Sequence, residues 1–229
     1  MIGRAGLLGV VMNLAAATPA DSLSAQAAVG FGAGPTITRS RQAIEDVGAL
    51  ETRVSAKVRS TFGGFVDWNL GGRWQVRSGI RIVGKGHEEV FFNPDNPGLE
   101  SFPRFLRMTQ LEVFGAARFG IPIGRAMDAY LLVGPFASRE TACDLAFEGV
   151  DLPSECTFGV APGIDADLTE ALDFGMIFGS GVDFRLLRRD LFFQVDYALG
   201  VADINRLPIR RTRTRVISIL VGSKFSLGN

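Results

Sequence analysis

The chain has 229 residues, 47% of them hydrophobic and 10% aromatic, with 28 glycines, and its 24 lysines and arginines balance 24 aspartates and glutamates. Zero net charge excludes the basic excess of a nucleic-acid binder, and the apolar fraction excludes disorder. Mean hydropathy is positive, +0.21, yet beyond the N-terminus there is no uncharged apolar run of about 18 residues, which excludes a helical membrane protein and leaves a globular protein or a membrane β-barrel.

In chain order, Arg4 precedes the apolar stretch 5–17, and small and polar residues then lead to Ala25-Gln26-Ala27. A basic start, an apolar centre and an A-x-A end predict a secretory signal peptide over residues 1–27 and a mature domain over 28–229. Eight segments with period-2 alternation follow. The first, 28–37, is weak. Segment 61–70 sets Phe62, Val66, Trp68 and Leu70 against Thr61, Gly63, Asp67 and Asn69. Segment 73–85 is the clearest, with Trp74, Val76, Ile80 and Ile82 opposing Arg73, Arg77, Arg81 and Lys85. In 109–120, Leu111, Val113, Ala117 and Phe119 oppose Gln110, Glu112 and Arg118. Segment 127–136 is apolar on both parities, so its faces cannot be assigned. Segment 173–185 sets Phe174, Met176, Phe178, Val182 and Phe184 against Asp173, Asp183, Arg185 and three glycines. In 191–200, Phe193, Val195, Tyr197 and Leu199 oppose Gln194 and Asp196, and 214–225 carries Ile217, Ile219, Val221 and Phe225 on one parity.

Strands of about ten residues cross a bilayer at a tilt. The connections alternate: long at 38–60, 86–107, 138–171 and 201–213, short near Gly71-Gly72, at 121–125 and at 186–189. Outer-membrane barrels share this asymmetry, with tight periplasmic turns and long extracellular loops. The expected fold is therefore an all-β, eight-stranded antiparallel up-and-down transmembrane barrel. Parity allows Trp68 to lie opposite Trp74 across a five-residue connection, or Leu70 opposite Trp74 across a three-residue one. Either arrangement puts the tryptophans in a periplasmic aromatic girdle.

Alternation alone does not say which face is inside. A soluble exported barrel of lipocalin type would enclose an apolar ligand. Aromatics at both ends of the apolar face, the loop alternation and the glycines sharing the charged face all favour a polar lumen and a lipid-facing apolar band. Gly63, Gly79, Gly175, Gly179 and Gly181 leave room for long charged neighbours. The expected lumen network is Asp67, Arg73, Arg77, Arg81, Lys85, Glu112, Arg118, Asp173, Asp183, Arg185 and Asp196. Buried charges require partners, and Asp67 and Glu112 flank the arginines of the strand between them. Eight strands leave space only for side chains, so a salt-bridged plug is expected rather than a pore.

Export favours a disulfide between Cys143 and Cys156, whose loop closure is worth about 3 kcal/mol in the chain-entropy model. His87, in Gly86-His87-Glu88-Glu89, reads as a solvated loop residue, and no nucleophile such as Ser78 or Ser101 has a spacing that would recruit it. Glu88, Glu89, Asp95 and Asn96 lack a cation-binding register. Arg39, Arg41, Arg206, Arg210, Arg211, Arg213 and Arg215 make two loops or strand ends basic, suited to anionic lipid headgroups or to solvent.

Several segments resemble the outer-membrane β-barrel family that includes PorT: the strand 173–182 (DFGMIFGSGV), 196–201 (DYALGV) with Asp203-Ile204-Asn205, 129–135 (AYLLVGP) and the closing 221–225 (VGSKF). The resemblance implies an eight-stranded outer-membrane barrel of a Gram-negative bacterium and supplies no catalytic motif; no metal or cofactor is expected. The cysteines are not part of the shared pattern. Together these readings lead to a monomeric, non-enzymatic outer-membrane protein whose partners are outer-membrane lipid and, through the long loops, an extracellular or envelope protein. A lipid-modifying barrel enzyme is the other membrane alternative.

Overall fold

A computed structural model describes residues 27–44, 51–92, 104–124, 126–147, 150–155, 157–161, 164–167, 172–186, 188–202 and 210–227. Five long strands come first: β1 (Ala27–Ile44), β2 (Glu51–Gly71), β3 (Trp74–Phe92), β4 (Arg104–Pro122) and β5 (Met127–Phe147). Three short ones, β6 (Val150–Glu155), β7 (Thr157–Ala161) and β8 (Ile164–Asp167), precede β9 (Leu172–Leu186), β10 (Arg189–Gly200) and β11 (Arg210–Leu227). The eight long strands pair antiparallel in chain order, and β1–β11 and β4–β5 pairing closes the ring. Closure leaves no barrel edge with unpaired backbone amides, which lipid could not solvate. β6 pairs with the far end of β5, and β7 with β8.

Period-2 alternation determines the orientation of the wall residues except at register irregularities, between Ala56 and Thr61 on β2 and between Thr109 and Gln110 on β4. Phe31, Phe62, Trp74, Ile80, Val113, Phe174, Phe178 and Val221 face outward and are exposed, whereas Arg77, Arg81, Lys85, Glu112 and Asp196 face inward and are buried. The expected faces hold through the middle of each strand to which the sequence assigned them, and fail at the tight-turn ends for Arg73 and Arg185. In β5, Tyr130, Leu132 and Phe136 point inward and Leu131 and Val133 outward.

Two features differ from expectation. Much of the expected long loops 38–60, 86–107 and 138–171 is strand: β2 and β5 have 21 residues each, twice the length of a crossing. The surplus lies at the long-loop ends, where backbone pairing continues past the depth that lipid requires. The tryptophans are not opposite one another. Trp68 pairs with Val76 and Gly71 with Trp74, and an irregularity between Asn69 and Gly71 supplies the odd residue that parity demands. Gly71 and Gly72 have φ of 102° and 61°, values that suit glycine, and Asn69 Oδ1 accepts the Gly71 amide at 2.9 Å. Both tryptophans stay on the lipid face at the tight-turn end, Trp74 against Phe119 with ring centroids 4.9 Å apart.

The lumen packs tightly at its glycines. A Cβ on Gly30 would lie 2.2 Å from the Phe65 ring, and one on Gly181 would lie 2.5 Å from the Tyr130 ring. Gly30→Val is expected to destabilise the barrel by about 1–3 kcal/mol through overpacking. The measurement is a lower temperature for conversion of the compact unboiled band to the unfolded one on a gel, and an unchanged temperature would contradict the packing.

Candidate functional site

The inward face of β3 is a ladder of three cations. Arg77, Arg81 and Lys85 are four residues apart, about 13 Å along the strand, and each is at least 96% buried. A charge so enclosed must be paired, and each rung is. Asp67, the register partner of Arg77 on β2, takes a bidentate pair from it at 2.7 and 2.8 Å. Arg81 bridges Glu112, its register partner on β4, at 2.6 Å and Asp196, across the lumen on β10, at 2.9 Å. Lys85 reaches Asp173 on β9 at 3.0 Å, and the Thr214 hydroxyl donates to the same oxygen at 2.7 Å.

Further groups join the rungs. Lys224, on β11, lies 2.9 Å from Asp67 and 2.7 Å from Asp183, which Arg118 also meets at 2.5 Å. Arg118 donates in addition to Gln75. Gln194 connects two rungs: its amide nitrogen donates to both Asp196 oxygens at 2.8 Å, and its carbonyl accepts from Arg77 and from the Tyr130 hydroxyl. Aromatic faces fill the space between the charges. The Arg77 guanidinium lies 3.7 Å from the Phe65 ring centroid and 5.1 Å from that of Tyr130, and the Arg118 guanidinium lies 3.9 Å from the Tyr130 centroid. Such stacking suits a weakly hydrated guanidinium.

Within the ladder itself little space remains open. Between Phe65, Phe114, Phe192 and Arg81 the void is about 20 Å³, room for about one water molecule. At the tight-turn end a vestibule of about 590 Å³, lined by Ala27, Asp67, Asp183, Asp190, Lys224 and Ser226, stops at the Arg77 rung.

A family profile described as "Outer membrane protein beta-barrel domain" matches residues 20–206. The chain belongs to that family. Its place is the outer membrane, and the outward apolar band meets lipid, so the soluble lipocalin-type alternative falls. Among solved structures, the barrel is similar to the outer membrane protein OprG from Pseudomonas aeruginosa, at 14% identity over 88% of this chain and 96% of that one, with a TM-score of 0.48. It is similar to Neisserial surface protein A, at 14% identity over 87% and 97%, TM-score 0.46. It is also similar to the outer membrane protease OmpT from Escherichia coli, at 8% identity over 90% and 99%, TM-score 0.47. No curated protein matches the chain.

Of the residues the sequence assigned to the lumen of this barrel, Asp67, Arg77, Arg81, Lys85, Glu112, Arg118, Asp173, Asp183 and Asp196 form the network. Arg73 and Arg185 do not. Both are exposed near the tight turns, where the strands end and the inside-outside distinction is lost, and Arg185 pairs with Asp190 at 2.8 Å. Sequence reasoning missed Lys224, Phe65 and Tyr130 as members of the network. Strand parity, carried through 61–70 and 214–225, would have placed Phe65 and Lys224 inward.

His87 is not a solvated loop residue: it is 2% exposed, on the inward parity of β3, because the strand continues past residue 85. Ser78 accepts the Trp68 indole N–H at 3.2 Å, and Glu88 pairs with Lys57 at 2.6 Å. No group of three metal-ligating side chains occurs among the described residues. Cys143 is on β5, whereas Cys156, Ser101, Asp95, Asn96 and Arg206 lie outside the described residues.

Arg81→Met leaves Glu112 and Asp196 facing one another without a cation and is expected to destabilise the barrel by about 3–5 kcal/mol in urea unfolding. Adding Glu112→Gln and Asp196→Asn to that variant is expected to recover part of the loss. A triple variant no more stable than the single one would contradict the role of Arg81 as their shared counter-ion.

Proposed function

We propose that this barrel is a non-enzymatic, monomeric envelope protein whose lumen is closed by its own side chains and which acts through what its long-loop side presents to an extracellular or envelope partner. The observation that carries the reading is the charge balance of the filled lumen. Among the described residues the cations Arg77, Arg81, Lys85, Arg118 and Lys224 interlock with the carboxylates Asp67, Glu112, Asp173, Asp183 and Asp196. A conducting pore needs a continuous wet path and weakly held ions, and here each charge of the ladder is held by a fixed partner. Strands that extend beyond the bilayer support a role for the long-loop side, because they hold those loops on a paired scaffold. The motifs at 129–135, 173–182 and 196–205 support a place near the PorT-like members of the family, without transfer of any role.

Reconstituted in a planar bilayer, the protein is expected to show no stepwise ion conductance. Regular single-channel openings would overturn the closed-lumen reading.

Two further parts of the proposal concern processing. Residues 1–27 act as a cleaved signal peptide, and Cys143 pairs with Cys156 in the oxidising compartment. Intact mass and alkylation of the protein isolated from outer membranes are expected to give an N-terminus near Ala28 and no modified cysteine without prior reduction. Alkylation of both thiols in the unreduced protein would refute the disulfide.

A further inference from the structure

Arginines gather on the outward face where the barrel closes. In the β1–β11 seam Arg39 is the register partner of Arg215, and Arg41 that of Arg213. Arg39 and Arg213 are exposed and Arg215 is half-buried, on the same parity as the lipid-facing residues of their strands. Like charges directly opposite on an antiparallel pair repel. No carboxylate pairs with Arg39, Arg213 or Arg215 among the described residues; Leu199 on β10 is the register partner of Arg215, and Val58 on β2 lies one alternation step below Arg39. The other exposed outward arginines are placed differently: Arg107 has Asp144 as its register partner, and Arg139 lies between Leu111 and Leu172.

The depth of the cluster is defined by the row beneath it. Val58, Ile37 and Ile217 are register partners across β2, β1 and β11, and are exposed by 68%, 39% and 42%. They form the top of the apolar band on these strands. Arg39 and Arg215 are the next outward residues toward the long-loop end, about 7 Å further along the strands. At a strand tilt of 35–45° this is about 5 Å higher in the membrane, where hydrocarbon gives way to the headgroup layer.

We propose that this seam is a binding site for a phosphorylated lipid of the outer leaflet, its phosphate held between Arg39 and Arg215 with Arg213 above, and its acyl chains lying over Val58, Ile37 and Ile217. A phosphate placed between two facing guanidinium groups turns a repulsive register into a bridged one, and bidentate geometry suits arginine. The unpaired positive charge gives complementarity to an anion, and the apolar row directly below it selects an anion that carries hydrocarbon.

The test uses the full barrel, refolded and added to phosphatidylcholine nanodiscs doped with bisphosphorylated lipid A, with dephosphorylated lipid A as control. Lipid retained after detergent extraction and repurification is measured by mass spectrometry. The wild-type protein is expected to retain the phosphorylated lipid over the dephosphorylated one. Arg39→Gln/Arg213→Gln/Arg215→Gln is expected to retain at least about tenfold less, the scale expected for removing three interfacial charges. The gel shift on boiling reports whether that variant is folded, and single Arg39→Gln and Arg215→Gln variants, each expected to lose part of the retention, serve if it is not. Equal retention by folded variants, or equal retention of the two lipids, would overturn the site. Displacement by millimolar inorganic phosphate would mean that a free anion, not a lipid, occupies the seam, and would overturn the proposal as well.

Discussion

A guanidinium enclosed by eight strands cannot reach bulk water, and an unpaired charge there would cost several kcal/mol even after the protein relaxes. Arg81 shows what that constraint demands. It is held by one carboxylate from the neighbouring strand and another from the opposite wall. Gly63, its register partner on β2, leaves space beside its stem, where a Cβ would come within 2.4 Å. The same demand repeats at Arg77 and Lys85, so one strand carries these three cations and four others, β2, β4, β9 and β10, carry the carboxylates that answer them.

Buried ion pairs are poor sources of net stability, since an apolar filling of equal volume often does as well or better. Their value in this barrel is positional. Lipid outside and apolar side chains inside would make the two faces of each strand equivalent, and register depends on the faces being different. A one-residue slip of β3 would move its three cations into hydrocarbon. The ladder thus penalises every wrong register, and the aromatic rings of Phe65, Tyr130 and Phe192 fill the remaining volume without competing for lipid, because they are enclosed between cations and glycines.

The two ends of the barrel use different physics. At the tight-turn end, short connections and the glycine pair Gly71-Gly72 stop the strands close to the membrane edge, and tryptophans mark the interface. At the other end the strands continue, and on β1 and β11 the outward residues change from isoleucine to arginine within one alternation step. Where sequence reading stopped the strands too early, it relied on loss of the apolar parity. That loss marks the end of the lipid band and not the end of backbone pairing, which is why His87 reads as a loop residue and lies on a strand.

The sequence by itself determined the number of barrel strands, the inward and outward faces wherever only one parity is apolar, and that Asp67 and Glu112 flank the arginines of the strand between them. Hairpin order suffices for that flanking, but the register that sets Asp67 against Arg77 and Glu112 against Arg81 comes from the folded hairpins. It could not orient 127–136, where both parities are apolar and only the enclosing barrel makes Tyr130 an inward residue. Tertiary structure alone decided that Asp196 and Asp173 answer Arg81 and Lys85, that Gln194 joins two rungs, and that Lys224 enters the network. These partners come from strands more than 80 residues away and meet across the lumen. Their contact depends on closure and stagger of the whole ring, quantities that no local pattern encodes.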